Sequence, residues 1–147
     1  PETILSPKEF HVYLQLVARR QRNEPVAYIT QKKSFWSLDF EVSCDTLIPR
    51  PDSETLIETA LAWMKYRSRP YRIVDVGTGS GCLLLSLLSE FPLASGIGVD
   101  VSEKALEVAA RNARHLGLDH RSQWKKSSWL DGIESGVDVL ISNPPYI

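Results

Sequence analysis

The sequence lacks the residues and segments that mark several protein classes. Its 147 residues include only two cysteines, Cys44 and Cys82, which lie far apart and outside any C-x-x-C or Cys/His pattern. Neither a disulfide framework nor a zinc site is indicated, and reducing, cytoplasmic surroundings are expected. No apolar run approaches the roughly 20 residues of a membrane span, and the first residues lack the order of a signal peptide. We therefore expect a soluble protein without a metal or a membrane partner.

An excess of charge of one sign is also missing. Seventeen basic residues stand against eighteen acidic ones, for a formal net charge of −1. A chain without an overall basic field has little electrostatic attraction for nucleic acid or anionic lipid. Direct binding to nucleic acid is therefore not expected. The length suits one main domain whose core is large enough to fold without disulfides or metals.

The first part of the chain predicts a helix followed by a β-hairpin. In Ser6-Pro7-Lys8-Glu9 a capping hydroxyl, a proline and a glutamate three residues on are typical of a helix start. The apolar stripe of that helix comprises Phe10, Tyr13, Leu14 and Val17. Pro25 ends the helical pattern, and residues 33–43 then alternate apolar and polar side chains. This alternation predicts a hairpin with its turn at residues 37–39.

An extended arm and a second helix are predicted next. Pro49 and Pro51 push the residues before them out of helical geometry, so residues 48–51 are expected to be stiff and extended. Asp52 or Ser53 is then expected to cap a helix. The apolar side chains of that helix are Leu56, Ile57, Ala60, Leu61 and Met64.

From residue 71 onward, short β-branched runs alternate with helical patterns. Strands are predicted at residues 72–76, 96–100 and 137–142, with helices at 83–88 and between Ser102 and Gly117. Alternation of this kind is typical of a parallel sheet with helices on both faces. The predicted fold class is α/β, with a Rossmann-like parallel sheet whose last strands are missing.

The strongest chemical signal is the run Asp75-Val76-Gly77-Thr78-Gly79-Ser80-Gly81 between a predicted strand and a predicted helix. The carboxyl ends of parallel strands form ligand crevices, and glycines there let the backbone approach a ligand closely. Cys82 stands where the third glycine of the dinucleotide fingerprint belongs, and no Gly-Lys-Ser/Thr follows. A nicotinamide dinucleotide and a phosphate loop are therefore excluded, while a glycine-rich turn without a ligand stays open.

Asp100 closes the next predicted strand, about 20 residues after the glycines, where an acidic side chain can accept both hydroxyls of a ribose. Alone, such a residue is more commonly a solvent-exposed strand-end aspartate near the cap of the following helix. Together with the glycine run, Asp100 favours a ribose-bearing cofactor without a pyrophosphate.

A second signal, Asn143-Pro144-Pro145-Tyr146, follows the last predicted strand on the same edge of the sheet. An amide nitrogen is a poor nucleophile because its lone pair is delocalised, and acceptors for its N–H groups help to direct that lone pair. The Asn143 oxygen and the Pro144 carbonyl are suitable acceptors, since proline carries no competing N–H. Tyr146 can stack on the flat group. Catalysis would rest on proximity and orientation; a rigid turn is the structural alternative.

Jointly, these motifs resemble class I S-adenosylmethionine methyltransferases that act on amino groups. Upstream, a further set of motifs looks like the segment that precedes the catalytic domain in peptide-chain-release-factor glutamine methyltransferases, the PrmC/HemK family. These are Pro25-Val26-Ala27-Tyr28-Ile29, Phe35-Trp36, Leu47-Ile48-Pro49-Arg50-Pro51 and Glu54. The resemblance covers essentially the whole chain.

The resemblance implies methylation of the side-chain amide nitrogen of the glutamine in the Gly-Gly-Gln motif of a release factor. S-adenosyl-L-methionine would be the donor and S-adenosyl-L-homocysteine the product, without a metal, and the full-length protein would be monomeric. The implied catalytic residues are Asn143, Pro144, Pro145 and Tyr146. The implied cofactor-binding residues are Gly77, Thr78, Gly79, Ser80, Gly81, Asp100, Trp129 and Asn143.

The same resemblance divides the chain into three segments. Residues 1–24 correspond to the remnant of an N-terminal helical substrate-recognition domain, 25–51 to the hairpin and the proline-rich arm, and 52–147 to a partial S-adenosylmethionine-binding domain. The family pattern continues past the Pro-Pro-Tyr motif, so the chain is expected to be a fragment.

One departure at the cofactor site, one residue with two alternative placements and two alternative functions accompany this interpretation. Ser128 stands where many relatives carry an acidic residue that accepts the adenine amino group, so a weaker bond is expected there. Arg50 is expected near the mouth of the pocket or as a surface cation. A nucleic-acid adenine amino-methyltransferase and a non-catalytic S-adenosylmethionine-binding fragment both stay open.

Overall fold

The computed structural model describes residues 4–133 and 135–144. Its helices are α1 (Pro7–Gln21), α2 (Val26–Thr30), α3 (Glu54–Trp63), α4 (Cys82–Glu90) and α5 (Glu103–His115). Its strands are β1 (Lys32–Phe35), β2 (Leu38–Glu41), β3 (Arg72–Val76), β4 (Ser95–Asp100), β5 (Ser122–Lys126) and β6 (Val139–Ser142). Single 3-10 turns, Pro51–Ser53 and Asp119–Arg121, precede α3 and β5.

Strands β3 to β6 form a parallel sheet in the order β5-β4-β3-β6. Val76 at the end of β3 is level with Val99 on β4 and with Ser142 on β6. The chain steps outward from β3 to β4 and β5, and then returns to the other side of β3. Such a reversal opens a crevice at the carboxyl ends of the strands, where ligands bind in open α/β sheets. The predicted α/β class with a parallel Rossmann-like sheet is confirmed.

Strand β5 has no counterpart among the strands predicted from the sequence. It reads Ser-Gln-Trp-Lys-Lys, and it pairs only with β4 at the edge of the sheet. An edge strand of this kind is half solvated and needs no continuous apolar run. Its single apolar residue, Trp124, packs against the core. The strand was missed because its main stabilising contacts are made by one side chain.

The predicted hairpin is present, but its turn lies one residue earlier than expected. Phe35 pairs with Leu38, so the loop consists of Trp36 and Ser37, with φ angles of 50° and 59°. Two-residue hairpin turns with positive φ normally carry glycine or asparagine, and this turn carries neither. Because neither glycine nor asparagine is present, no local sequence signal marks the position of the turn. The prediction of the turn at residues 37–39 was wrong.

Helices α4 and α5 agree with their sequence patterns. Six consecutive residues of α4, from Leu83 to Leu88, are buried, and α4 fills the core beside the sheet. The Ser102 hydroxyl accepts the Ala105 N–H at the start of α5, as predicted. Gly117 follows α5 with φ +69°, a conformation that costs glycine little.

Helix α1 begins with the predicted capping box, in which the Ser6 hydroxyl accepts the Glu9 N–H and the Glu9 carboxylate accepts the Ser6 N–H. Its apolar stripe, however, remains at the surface. Phe10, Tyr13 and Leu14 are about half exposed, and none of the residues of α1, all of which the structure describes, is buried. The amphipathic pattern therefore predicted the helix but not a buried face.

Two kinds of feature are absent from the residues that the structure describes. No helix within residues 4–133 and 135–144 has both the length and the apolar character that crossing a bilayer requires. The same residues contain no group of three or more His, Cys, Asp or Glu side chains arranged to hold a metal ion.

Candidate functional site

A cavity of about 570 Å³ lies at the carboxyl ends of the four parallel strands. Its wall combines the residues that follow each strand with an upstream stretch that includes Tyr28 and Leu47. Among the residues predicted for the site, those on this wall are Gly77, Gly79, Asp100, Trp129, Asn143 and Pro144. Residues far apart in sequence are thus brought together where the sheet topology predicts a ligand.

The remaining predicted site residues lie elsewhere. Thr78 and Ser80 border a smaller adjoining cavity of about 40 Å³. Within the described residues, Gly81 lines neither of the two cavities. Pro145 and Tyr146 lie outside the described residues. The functional roles of all these residues stay predictions.

The glycine loop, residues 77–81, is tied to the end of β4 by its own backbone. The N–H groups of Gly77 and Thr78 both donate to the Val99 carbonyl, at 2.8 and 2.9 Å. The Gly79 N–H donates to Asp100 Oδ2 at 2.9 Å. These bonds hold the loop in left-handed conformations, with φ +73° at Gly77 and +54° at Gly79. A ligand in the cavity would therefore meet a preformed backbone surface.

The glycines of the loop serve different purposes. A Cβ atom on Gly79 would have no described atom within 4 Å, so this backbone faces open space. A Cβ atom on Gly81 would lie 2.9 Å from Trp124 Cη2, and one on Gly98 of β4 would lie 2.4 Å from Trp124 Cζ3. Gly79 thus leaves room for a ligand, whereas Gly81 and Gly98 leave room for the Trp124 ring.

Asp100 is oriented by two backbone donors. Its Oδ2 accepts the Gly79 N–H, and its Oδ1 accepts the Ser102 N–H at 3.0 Å. The carboxylate therefore lies between the glycine loop and the start of α5, on the wall of the cavity. Each carboxylate oxygen can accept more than one hydrogen bond, so these contacts position the group and leave acceptor capacity for a ribose.

Two titratable groups lie buried beneath the glycine loop. Asp75 is 1% exposed, and its Oδ2 accepts the Thr78 hydroxyl at 2.7 Å. Burial raises the pKa of Asp75 to about 7, although the hydrogen bonds from Thr78 and the Leu84 backbone lower it. Burial also raises the pKa of the Cys82 thiol to about 12, which makes it a poor nucleophile at neutral pH.

Asn143 lies directly after β6 and borders both cavities. Its Nδ2 donates to the Ser53 hydroxyl oxygen at 2.7 Å, across 90 positions in the chain. Ser53 occupies the capping position of α3, as predicted, but its side chain makes no capping hydrogen bond in the described structure. The predicted capping bond is wrong because the Ser53 backbone is helical, with φ −72° and ψ −13°, whereas a residue that caps through its side chain is normally extended. Arg50 is exposed on the wall of the smaller cavity.

Trp129 is at the rim of the larger cavity, in the loop after β5. It is 69% exposed and has φ +58°, which is unusual for a bulky residue. The Ser127 N–H donates to the Asp100 carbonyl at 3.1 Å, and the Ser127 hydroxyl donates to the Asp131 carbonyl at 2.9 Å. The loop is thereby held over the cavity, and Trp129 is not a core residue.

Sequence reasoning missed several residues that build the site. Asn112, 1% exposed on α5, accepts the Glu41 N–H and donates to the carbonyls of Glu41 and Ser80. It thereby links the hairpin to the glycine loop. The Tyr28 hydroxyl donates to the Thr46 carbonyl at 2.8 Å on the cavity wall. An asparagine within an apolar helical face was the one signal that pointed to Asn112.

Comparisons with known proteins agree with this geometry. The family model of the methyltransferase small domain matches residues 53–147. A protein of Rhodospirillum rubrum named release factor glutamine methyltransferase is 42% identical over 146 residues, which cover 99% of this chain and 44% of that protein. The chain spans about half the length of the curated relatives it matches, between 44% and 52%.

Solved structures share the fold. The S-adenosylmethionine-dependent methyltransferase of Agrobacterium tumefaciens superposes with a TM-score of 0.64 at 19% identity, over 78% of this chain and 39% of that one. A methyltransferase of Thiobacillus denitrificans, solved with S-adenosyl-L-homocysteine, gives 0.51 at 24% identity, over 63% and 36%. These likenesses show the class I methyltransferase fold. Because the family model matches well over half of its residues, the chain belongs to the methyltransferase small domain family.

Proposed function

We propose that the chain binds S-adenosyl-L-methionine in the larger cavity, and that the whole protein methylates the glutamine side-chain amide in the Gly-Gly-Gln motif of a peptide chain release factor. One observation carries the proposal. Gly77 and Gly79 of the glycine loop, Asp100 and Asn143 border one cavity at the reversal point of the sheet. We further propose that the whole protein is monomeric and cytoplasmic and makes no direct contact with nucleic acid. The proposed segments of the chain end at residues 24 and 51, as the family resemblance implies.

The donor set fits the proposed cofactor. A volume of about 570 Å³ is within the usual range for small-molecule sites. Gly79 exposes backbone to the cavity, Asp100 offers two oriented carboxylate oxygens, and Val99, Val101 and Ala105 supply apolar wall. Trp129 and Ser128 border the same space, where an aromatic face and a hydroxyl suit an adenine ring. When bound, S-adenosylmethionine supplies a methyl group already activated on a positively charged sulfur.

The residues of the chain then have to present a nitrogen in the correct direction. The Asn143 side-chain oxygen and the Pro144 carbonyl are acceptors suited to the two N–H groups of a primary amide. Two such bonds hold the amide plane and stabilise the positive charge that develops on nitrogen. Proline has no N–H of its own, so no donor competes at that position. Neither residue changes its protonation state, and the contribution is orientation.

The relatives support the choice of substrate. The Rhodospirillum rubrum protein, identical at 42% of 146 aligned positions, carries the name release factor glutamine methyltransferase. The near-neutral charge of the chain gives no support to the alternative, an adenine methyltransferase of nucleic acid. The test below therefore includes that alternative as a competing substrate.

The test offers labelled S-adenosylmethionine to the whole protein, together with an unmodified release factor and adenine-containing DNA. Label on the glutamine of the Gly-Gly-Gln motif, located by mass spectrometry, is the expected result. Asn143→Ala should lower the rate about a thousandfold, because an acceptor used in the transition state is lost. The matched control is Gln123→Ala, which removes an exposed amide on β5 and should leave the rate unchanged. Label on DNA, or none on the release factor, would contradict the proposal.

A further inference from the structure

We infer that Ser53 is a positioning residue for methyl transfer, because its hydroxyl oxygen accepts Asn143 Nδ2 and so holds the plane of the Asn143 side-chain amide. The inference rests on the proposed function of Asn143 as an acceptor. The two groups are 2.7 Å apart, and Ser53 is 9% exposed. A hydrogen bond that is largely shielded from water persists better than an exposed one.

The direction of an asparagine amide is not determined by its shape. Its oxygen and nitrogen are nearly equal in size, so rotation by half a turn exchanges an acceptor for a donor with little change in packing. A substrate amide that presents N–H groups requires the oxygen. With Nδ2 held by Ser53, the oxygen is directed to the other edge of the amide plane. A serine hydroxyl can accept or donate, so the bond to Ser53 holds the plane of the Asn143 amide, and with Nδ2 on Ser53, as here, the oxygen is available to the proposed substrate.

Ser53 is itself held from both neighbouring segments. Its backbone N–H donates to the Arg50 carbonyl at 3.0 Å, within the turn that ends the proline-rich arm. The next residue, Glu54, accepts the Trp36 backbone N–H at 2.9 Å and so links α3 to the hairpin turn. The arm and the hairpin together fix the Ser53 hydroxyl, although neither belongs to the parallel sheet. The upstream segment therefore acts on the geometry of the acceptor site.

Ser53 makes no capping hydrogen bond. A serine that caps a helix through its side chain normally has an extended backbone and accepts an N–H of the first turn. Ser53 instead has helical φ and ψ angles of −72° and −13°, and its hydroxyl contacts Asn143.

The first measurement is steady-state methylation of the release factor by the whole protein, with S-adenosylmethionine binding measured by calorimetry. Ser53→Ala should lower kcat about tenfold while the Kd for the cofactor stays within about twofold, as expected when one neutral hydrogen bond is lost. Ser53→Thr should restore most of the rate, since it keeps the hydroxyl. In an Asn143→Ala background, Ser53→Ala should have no further effect.

A matched control removes a hydroxyl hydrogen bond of the same length elsewhere. Ser34 donates to Asp39 at 2.7 Å on the exposed hairpin, so Ser34→Ala should leave kcat unchanged. An unchanged kcat in Ser53→Ala, or failure of Ser53→Thr to restore it, would overturn the inference while leaving the proposed function intact.

A second measurement does not depend on turnover. In NMR spectra of the whole protein, the Asn143 side-chain NH₂ signals, identified by their loss in Asn143→Ala, should exchange slowly with solvent. Ser53→Ala should accelerate that exchange at least tenfold, and Ser34→Ala should not. Equal exchange rates in wild type and Ser53→Ala would overturn the inference about Ser53. If the Asn143 NH₂ signals exchange slowly but the release factor is not methylated, the proposed function is contradicted and the inference about Ser53 is not.

Discussion

The glycine loop and the acceptor end, Asn143 and Pro144, face the same cavity but are held in different ways. The loop is fixed by backbone bonds to Val99 and Asp100 on the neighbouring strand, and by Trp124 behind it. The acceptor end is fixed by a side chain from a segment that precedes the sheet. The proposed cofactor side of the site is thus held mainly by neighbouring strands of the parallel sheet, whereas the proposed acceptor side also depends on Ser53 at the end of the upstream arm.

If the sheet alone organises the cofactor side, changes behind the glycine loop should alter stability and cofactor binding together. Changes in the arm should alter turnover and spare the cofactor. The following predictions test this separation, from the largest expected effect to the smallest.

The largest effect is expected at the buried carboxyl behind the loop. Burial raises the pKa of Asp75 to about 7. The folded chain therefore keeps a proton that the unfolded chain loses above about pH 4, so stability should fall as pH rises from about 4 to 7 and then level off. Asp75→Asn should remove that slope, a difference on the order of a few kcal/mol. Urea unfolding of both proteins at pH 4.5, 6 and 8 measures it, and parallel slopes would contradict the assignment.

The next effect is expected where β4 meets the Trp124 ring. A Cβ atom on Gly98 would lie 2.4 Å from Trp124 Cζ3, so Gly98→Val should destabilise the fold by about 3 kcal/mol through overpacking. Adding Trp124→Ala should return part of that loss, because the two sites are in contact. If the losses of unfolding free energy in Gly98→Val and Trp124→Ala simply added up in the double variant, the Trp124 ring would not be what obstructs a side chain at position 98.

Asn112 links the upstream hairpin to the glycine loop, and its removal should have an intermediate effect. Asn112→Ala leaves the Glu41 N–H and the carbonyls of Glu41 and Ser80 without their partner, which should cost about 2 kcal/mol. Because Ser80 belongs to the glycine loop, the affinity for S-adenosylmethionine should fall as well. Exposed Gln15→Ala is the control for both unfolding and calorimetry. If Asn112→Ala lost stability but kept its full affinity for S-adenosylmethionine, the hairpin would have no part in organising the proposed cofactor side.

The smallest effect is expected at Ser128. A carboxylate accepts a hydrogen bond more strongly than a hydroxyl, so Ser128→Asp should tighten S-adenosylmethionine binding by about fivefold, or roughly 1 kcal/mol. Ser128→Asn, of equal size but neutral, is the matched control. The kcat at saturating cofactor should not change if the acceptor end is independent. A weaker affinity for S-adenosylmethionine in Ser128→Asp would show that the adenine does not lie in this part of the cavity.

Much of the fold was predictable because its elements carry local signals. The helix starts at Ser6 and Ser102, the buried helix at residues 83–88 and the strands at 72–76 and 96–100 follow from capping residues and from periodicity. Strand β5 was missed because an edge strand can be mostly polar. The hairpin turn was misplaced because Trp36 and Ser37 adopt positive φ angles without glycine.

The amino-acid sequence by itself determined the order of the strands and helices apart from α2 and β5, and the placement of the glycine run, Asp100 and Asn143 at strand ends. Only the tertiary structure decided that the Ser53 hydroxyl binds Asn143 across 90 positions and that Trp124 requires two glycines. The reason is physical. Periodicity and capping act within a few residues, whereas the contacts of a side chain, and the pKa of a buried one such as Asp75, depend on segments that meet only when the chain folds.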